Sequence, residues 1–301
     1  MGRISIPTVF FGGGTPSLMP TNVFGRIIDA LHTKFDLSPD CEITLESNPG
    51  TLDTARLHEF VAAGVNRLSV GVQSLDDTRL KFLGRRHSAA DARKLLDTAM
   101  NMGLRTSADF IYGLPGDTTD HVIQMCHDIN AIGLTHCSMY ELTIEPNTPL
   151  GQMNLNMPSN DAMADMYCTI ADTLTLPRYE VSNYARPGCE CRHNQNVWDG
   201  APYIGIGRGA AGRPYVDGTW YEQTGGDIKM QPLGAGARAT EKIITGLRTT
   251  RGVKLTDDVL RAVDMNYVMA HPDLLGIAHD RIHTTPKGNL ILDDLLIELC
   301  R

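Results

Sequence analysis

Residues 9–50 read VFFGGGTPSLMPTNVFGRIIDALHTKFDLSPDCEITLESNPG. An apolar run breaks into three glycines, gives way to apolar residues at three- and four-residue spacing, and resumes as a second apolar run that ends in a polar cluster. Extended, helical, extended again is a βαβ unit. The same rhythm continues along the chain. Strands are expected at Ile4–Phe11, Glu42–Glu46, Arg67–Val72, Thr106–Tyr112 and Cys137–Leu142, with a sixth at Tyr179–Ser182. Between them NVFGRIIDALHTKF, LDTARLHEFVAAG, AADARKLLDTAMNMG and TDHVIQMCHDINAIG carry the amphipathic period. Several start on a capping residue, Asp53 or Ser88, and several close on Gly64, Gly103 or Gly133. Strands separated by such helices run parallel with right-handed crossovers, in a barrel or an open doubly wound sheet.

The strand ends carry the polar residues. GGGTP (12–16), ESNPG (46–50), GVQS (71–74), YGLPGD (112–117) and YELTIEPNT (140–148) each follow an apolar run. In a barrel these clusters meet at one mouth, where such folds build their sites. The opposite turns, AAGVNR and NMGLRT, are plainer. Turn chemistry alone explains Asn48, Pro49 and Pro115. It does not explain Glu46, Gln73 and Asp109, since a polar group beside a buried strand end needs a partner. Three glycines permit positive φ and let backbone N–H groups approach a ligand, and they equally make a plain turn. A second stretch, YIGIGRGAAGRPY, has G-x-G-x-x-G at Gly207, Gly209 and Gly212, but Pro214 follows and no helix pattern opens. That is no dinucleotide fingerprint. GGGTPS likewise lacks the Lys of a phosphate loop.

Composition narrows the function classes. The chain has 301 residues, 42% hydrophobic and 21% charged, as expected of a folded globular protein. Its formal net charge of −8 disfavours nucleic acid as a partner. No apolar run is long enough for a membrane span, and MGRISIPTV has no secretory pattern, so a cytoplasmic protein is expected. Seven scattered cysteines do not read as a disulfide framework. CECRH, with Cys189, Cys191 and His193, offers three ligands without a second pair, a weak metal signal.

FFGGGTPSL, ESNPGTL, RLSVGVQSLDD, LGRRHS, DFIYGLPGDT, YELTIEPNTPL and RHNQNVW, in this order, resemble the radical SAM proteins of the oxygen-independent coproporphyrinogen III oxidase-like family. The likeness covers nearly the whole chain and leans to the haem-chaperone branch. It implies an α/β fold, a partial (β/α)6 TIM-like barrel binding S-adenosylmethionine at its strand C-termini. Residues 1–186 would form that barrel, 187–234 a strand-rich extension, and 235–301 a small helical, winged-helix-like domain of amphipathic helices with a closing extended segment. Gly13, Gly14 and Thr15 would line the methionine part of the cofactor, Glu46 the ribose, and Gln73, Arg85 and Asp109 the remainder. Tyr140 and Glu145 stand at the mouth without an assigned role.

His193 opens HNQNVW, similar to the HNxxYW motif of the haem chaperones, which makes it a candidate haem ligand beside the structural reading of a hydrogen-bonded His. Val197 stands where the motif has Tyr, and Ala211 where a neighbouring family segment has His. The family also holds a [4Fe-4S] cluster on C-x-x-x-C-x-x-C upstream of the glycine motif. No such spacing occurs here, so a barrel lacking its N-terminal portion is expected, with Met1 not the natural start, and no metal site of the family type. The resemblance implies a haem chaperone that binds S-adenosylmethionine and passes haem to a target protein, with an electron donor and a homodimer as further partners. The alternatives are an oxygen-independent coproporphyrinogen III oxidase and a cluster-free small-molecule-binding barrel.

Overall fold

In the computed structural model, which describes residues 4–225 and 229–300, the βα rhythm becomes a curled half-barrel. In chain order β1 (Ser5–Phe11), α1 (Thr21–Lys34), β2 (Asp36–Ser47), α2 (Thr54–Ala62), β3 (Arg67–Gln73), α3 (Asp77–Phe82), α4 (Ala89–Asn101), β4 (Arg105–Tyr112), α5 (Thr119–Ile132), β5 (His136–Glu141), α6 (Asn160–Thr173) and β6 (Asn183–Ala185) build it. The six strands lie in sequence order, β1 to β5 parallel and β6 antiparallel to β5. Side-chain caps start most of the helices: Asp53 on Arg56 N, Asp76 on Thr78 N, a full capping box of Ser88 and Asp91, and Thr118 on His121 N.

The sixth strand corrects the expected Tyr179–Ser182. The chain doubles back there, Arg178 bridging Tyr184 antiparallel, so the pairing segment shifts to Asn183–Ala185 and reverses direction. Tyr179–Val181 leaves the sheet: Val181 N donates to Arg248 O at 2.9 Å and Thr250 N to Tyr179 O at 3.1 Å. By contacts those three residues belong with 191–301 in a second unit, and the rest of 1–190 forms the first.

Strand alternation gives the half-barrel two unlike faces. One carries Ile43, Leu45, Leu68, Val70, Val72, Ala108, Phe110, Cys137 and Met139 and packs on Phe24, Leu57, Phe60, Leu96 and Ile129 of the helices. The other carries Glu42, Thr44, Glu46, Arg67, Ser69, Ser107, Asp109, His136 and Ser138. A parallel sheet covered by helices on both sides would be apolar on both. Here the concave side is polar.

The second unit starts with α7 (Arg192–Trp198), so HNQNVW is a helix within the region expected to be strand-rich, followed by an antiparallel sheet of β7 (Tyr215–Val216), β8 (Thr219–Thr224) and β9 (Lys229–Pro232). Then come α8 (Ala235–Leu247), β10 (Val253–Lys254), α9 (Asp257–Ala262), α10 (Met265–Ala270), β11 (Leu275–Ala278), β12 (Arg281–Thr284), α11 (Pro286–Asn289) and α12 (Leu292–Leu299). Ile243, Leu247, Val259, Ile282, Leu295 and Leu299 form its core. The chain therefore closes on a helix rather than an extended segment, because Leu292, Leu295 and Leu299 fall on one buried face.

Candidate functional site

The glycine loop after β1 is open toward the mouth. Gly13 and Gly14 have φ of 80° and 58°, and a methyl group built on either would meet nothing within 4 Å. A side chain there would cost strain and fill the space. Gly13 N–H donates to Glu46 Oε2 at 3.0 Å. Burial pushes the Glu46 carboxyl above its ordinary value, and that amide bond opposes the shift. A carboxylate so placed has lone pairs left for hydroxyl donors.

Beside it Asn48 Nδ2 donates to Thr15 Oγ1 at 3.3 Å. A methyl group at Gly71 would come 2.7 Å from Asn48 Oδ1 and 2.9 Å from Gln73 Nε2, so the two amides converge only because position 71 is glycine. Gln73 is buried with φ of 68°, a left-handed conformation that costs a non-glycine residue about 1–2 kcal/mol. The strain accompanies a break in register with β4 between Val70 and Gln73, which re-aims the strand end.

Asp109 is the most perturbed acid of the mouth. Burial raises its pKa from 3.8 to about 6, the nearby Glu46 carboxylate adds to the rise, and Ser138, Arg67 and Ser69 oppose it. Ser69 Oγ donates to Asp109 Oδ2 at 3.4 Å. The Ser138 hydroxyl lies close enough to favour the ionised carboxylate, while its single proton is directed to Asn183 Oδ1 at 3.0 Å. Two carboxylates that repel each other inside a polar bowl are relieved by a cation, so the mouth suits a ligand with positive charge and hydroxyls.

Arg85 follows α3, half-buried, with burial holding its pKa below the ordinary value. His87, two residues on, bonds Val72 O through Nε2 at 3.1 Å and ties this segment to the end of β3. The loop after β4 is anchored too: Asp117 takes both guanidinium ends of Arg79, one at 2.8 Å, and accepts Leu114 N–H at 2.9 Å. Tyr140 is exposed at the end of β5, and Glu145 is exposed beyond it. His193 lies on α7 in the second unit, outside this set.

Gly13 is thus joined to Glu46 by a hydrogen bond, Glu46 to Asp109 by charge and Thr15 to Asn48 by a hydrogen bond, while Gln73 turns its amide toward Gly71 beside Asn48. Sequence reasoning missed Asn48, Gly71, Arg67, Ser69 and Ser138. Strict polar–apolar alternation in RLSVGVQ and HCSMY was the signal that could have found the last three. The second glycine stretch forms no ligand loop: Gly212 bridges Gln223, whose amide bonds Gly205 on both sides, N–H to Oε1 at 3.0 Å and Nε2 to O at 2.7 Å.

A five-stranded parallel half-barrel with a sixth, reversed strand matches the partial TIM barrel of radical SAM proteins. The Radical SAM superfamily model matches residues 2–129. The heme chaperone HemW of Mycobacterium tuberculosis (strain H37Rv) is 31% identical over 309 residues, covering 96% of this chain and 79% of that protein. The heme chaperone HemW of Escherichia coli (strain K12) is 39% identical over 212 residues, covering 69% of this chain and 56% of that protein. The chain belongs to the HemW family of radical SAM proteins. It spans little more than half the length of the Escherichia coli relative. Among solved structures, coproporphyrinogen III oxidase (HemN) from Escherichia coli superposes with a TM-score of 0.78 at 18% identity, over 97% of this chain and 77% of that one, a likeness of fold.

The family implies S-adenosylmethionine and a [4Fe-4S] cluster. The glycine cradle and the two acids fit the first. They do not fit the second: among the described residues no grouping of three His, Cys, Asp or Glu could hold a metal ion. Cys41, Cys126, Cys137 and Cys191 are buried, and burial pushes the Cys126 and Cys137 thiols up, away from the thiolate a cluster needs. No described helix is long and apolar enough to cross a membrane.

Proposed function

We propose that this chain binds S-adenosylmethionine in the half-barrel mouth and serves, like its HemW relatives, in handing haem to a target protein. The observation that carries the first part is Glu46, held by Gly13 N–H at 3.0 Å beside an open glycine loop, with Asp109 close enough to repel it. S-adenosylmethionine supplies a sulfonium cation, an ammonium group and two ribose hydroxyls. Glu46 would accept from the hydroxyls, and Gly13, Gly14 and Thr15 would line the amino-acid end. Asn48 and Gln73 would offer amides, Asp109 a counter-charge, and Arg85 a partner for the carboxylate.

For the cargo, His193 offers an imidazole on a half-exposed helix, a usual axial ligand of haem iron. HNQNVW favours this reading over a coproporphyrinogen oxidase. A haem acceptor, an electron donor, a second copy and a cytoplasmic setting complete the proposal. So does the division at 186 and 234 into barrel, extension and C-terminal domain. Calorimetric titration with S-adenosylmethionine, haem and ribose 5-phosphate tests it. Binding of the first two and not the third is expected; E46Q should weaken S-adenosylmethionine about tenfold or more, the loss of one charge-assisted bond. Failure of wild-type protein to bind either of the first two would sink the proposal.

A further inference from the structure

Arg67, on the concave face of β3, is only 3% exposed. Alternation puts Arg67 on the same face as Ser69, one pair of residues deeper, and Ser69 reaches Asp109 Oδ2 at 3.4 Å. Register aligns Arg67 with Thr44 on β2 and Arg105 on β4. Arg105 has its own counter-ion, Glu42, at 3.1 Å, and donates to Glu190 O at 2.9 Å. The Asp109 carboxylate is acted on by the charge of Arg67. The Thr44 hydroxyl beside it is fully buried without a partner. A buried guanidinium stays charged, and its field is little screened where water is scarce. Asp109 and His136 both feel that field.

We propose that Arg67 is a positioning residue that acts from the floor of the half-barrel to keep Asp109 anionic as the counter-charge for a cationic ligand. This rests on the reading of the mouth as a site for S-adenosylmethionine. The groups facing Asp109 are Arg67 and Ser69 from β3, Glu46 from β2, and Ser138 from β5, with His136 one pair deeper on β5. Glu46 pushes Asp109 toward neutrality, as does burial. His136 is itself held well toward its neutral form by burial and by Arg67 and Arg105, and its Nδ1 meets Ser107 Oγ at 2.7 Å. Among the described residues, Arg67 is then the cation whose charge holds the Asp109 pKa down.

The test has two readouts. Carboxyl-carbon NMR of the ligand-free protein follows the Asp109 titration in wild type, R67M and R67K, with circular dichroism to confirm folding. S-adenosylmethionine binding is measured over the same pH range, with S-adenosylhomocysteine, whose sulfur is neutral, as the comparison probe. Wild type should titrate near pH 6. R67M should titrate about one unit or more higher and lose about twofold or more in S-adenosylmethionine affinity at pH 7, as the anionic fraction of Asp109 falls; R67K should restore most of both, and the neutral-sulfur analogue should change little. R67Q, which removes the same charge but keeps a polar side chain, should shift the midpoint in the direction of R67M and stands in for it if R67M does not fold. An unchanged Asp109 midpoint in R67M, or in R67Q where R67M does not fold, overturns the inference, as does an equal loss for both probes. An R67M midpoint that moves while wild type binds no S-adenosylmethionine removes the ligand reading and leaves the coupling of Arg67 to Asp109 standing.

Discussion

Asp109 pays for its position in stability. Its folded-state pKa of about 6 lies above the ordinary 3.8, so folding favours the protonated acid. The contribution is full below about pH 4 and is lost as pH rises through about 6, leaving a penalty of about 3 kcal/mol at neutral pH as an upper figure. D109N should therefore raise the urea-unfolding free energy at about pH 7.5 by about 1–3 kcal/mol while weakening S-adenosylmethionine binding, and the gain should vanish near pH 4. G71A tests the neighbouring contact. With a methyl group 2.7 Å from Asn48 Oδ1 and 2.9 Å from Gln73 Nε2, the amides must part, and S-adenosylmethionine affinity should fall with only about 1 kcal/mol of unfolding free energy lost. Glu46, Gln73 and Asp109 were legible because a polar group at the end of an apolar run has to be satisfied. Arg67 and Ser138 were not, since each looked like one polar residue within an ordinary strand. Only their shared register with Asp109 gives them meaning, and register belongs to the sheet rather than to any one segment.

At the scale of elements, α3 matters more than its six residues suggest. Its Arg79 holds Asp117, whose side chain is 2% exposed, so the loop after β4 is tied to the segment after β3. R79A leaves that carboxylate buried with only the Leu114 amide. A loss of about 2–4 kcal/mol in unfolding free energy is expected, together with faster amide hydrogen exchange in residues 113–117. The first five strands were readable from their period and from the capped helices between them. The sixth was not, because the reversal at Arg178–Tyr184 depends on a bridge between residues no pattern relates. α12 was missed for a different reason: ILDDLLIEL holds so many apolar residues that strand and helix periods both fit, and packing decides.

For the whole molecule, anaerobic incubation of this chain with iron and sulfide should give no iron–sulfur charge-transfer absorption, given the described donor set. A stable iron–sulfur chromophore would show that the described thiols rearrange. The polar concave face of the half-barrel also has a thermodynamic consequence. Glu46 and Asp109, the half-exposed acids of that face, hold water more firmly than an oily wall would, so a ligand entering the bowl exchanges one set of polar partners for another. Binding should then be driven by heat rather than by released solvent, and calorimetry at several temperatures should find a heat-capacity change close to zero, well short of the strongly negative value that an apolar pocket of equal size would give.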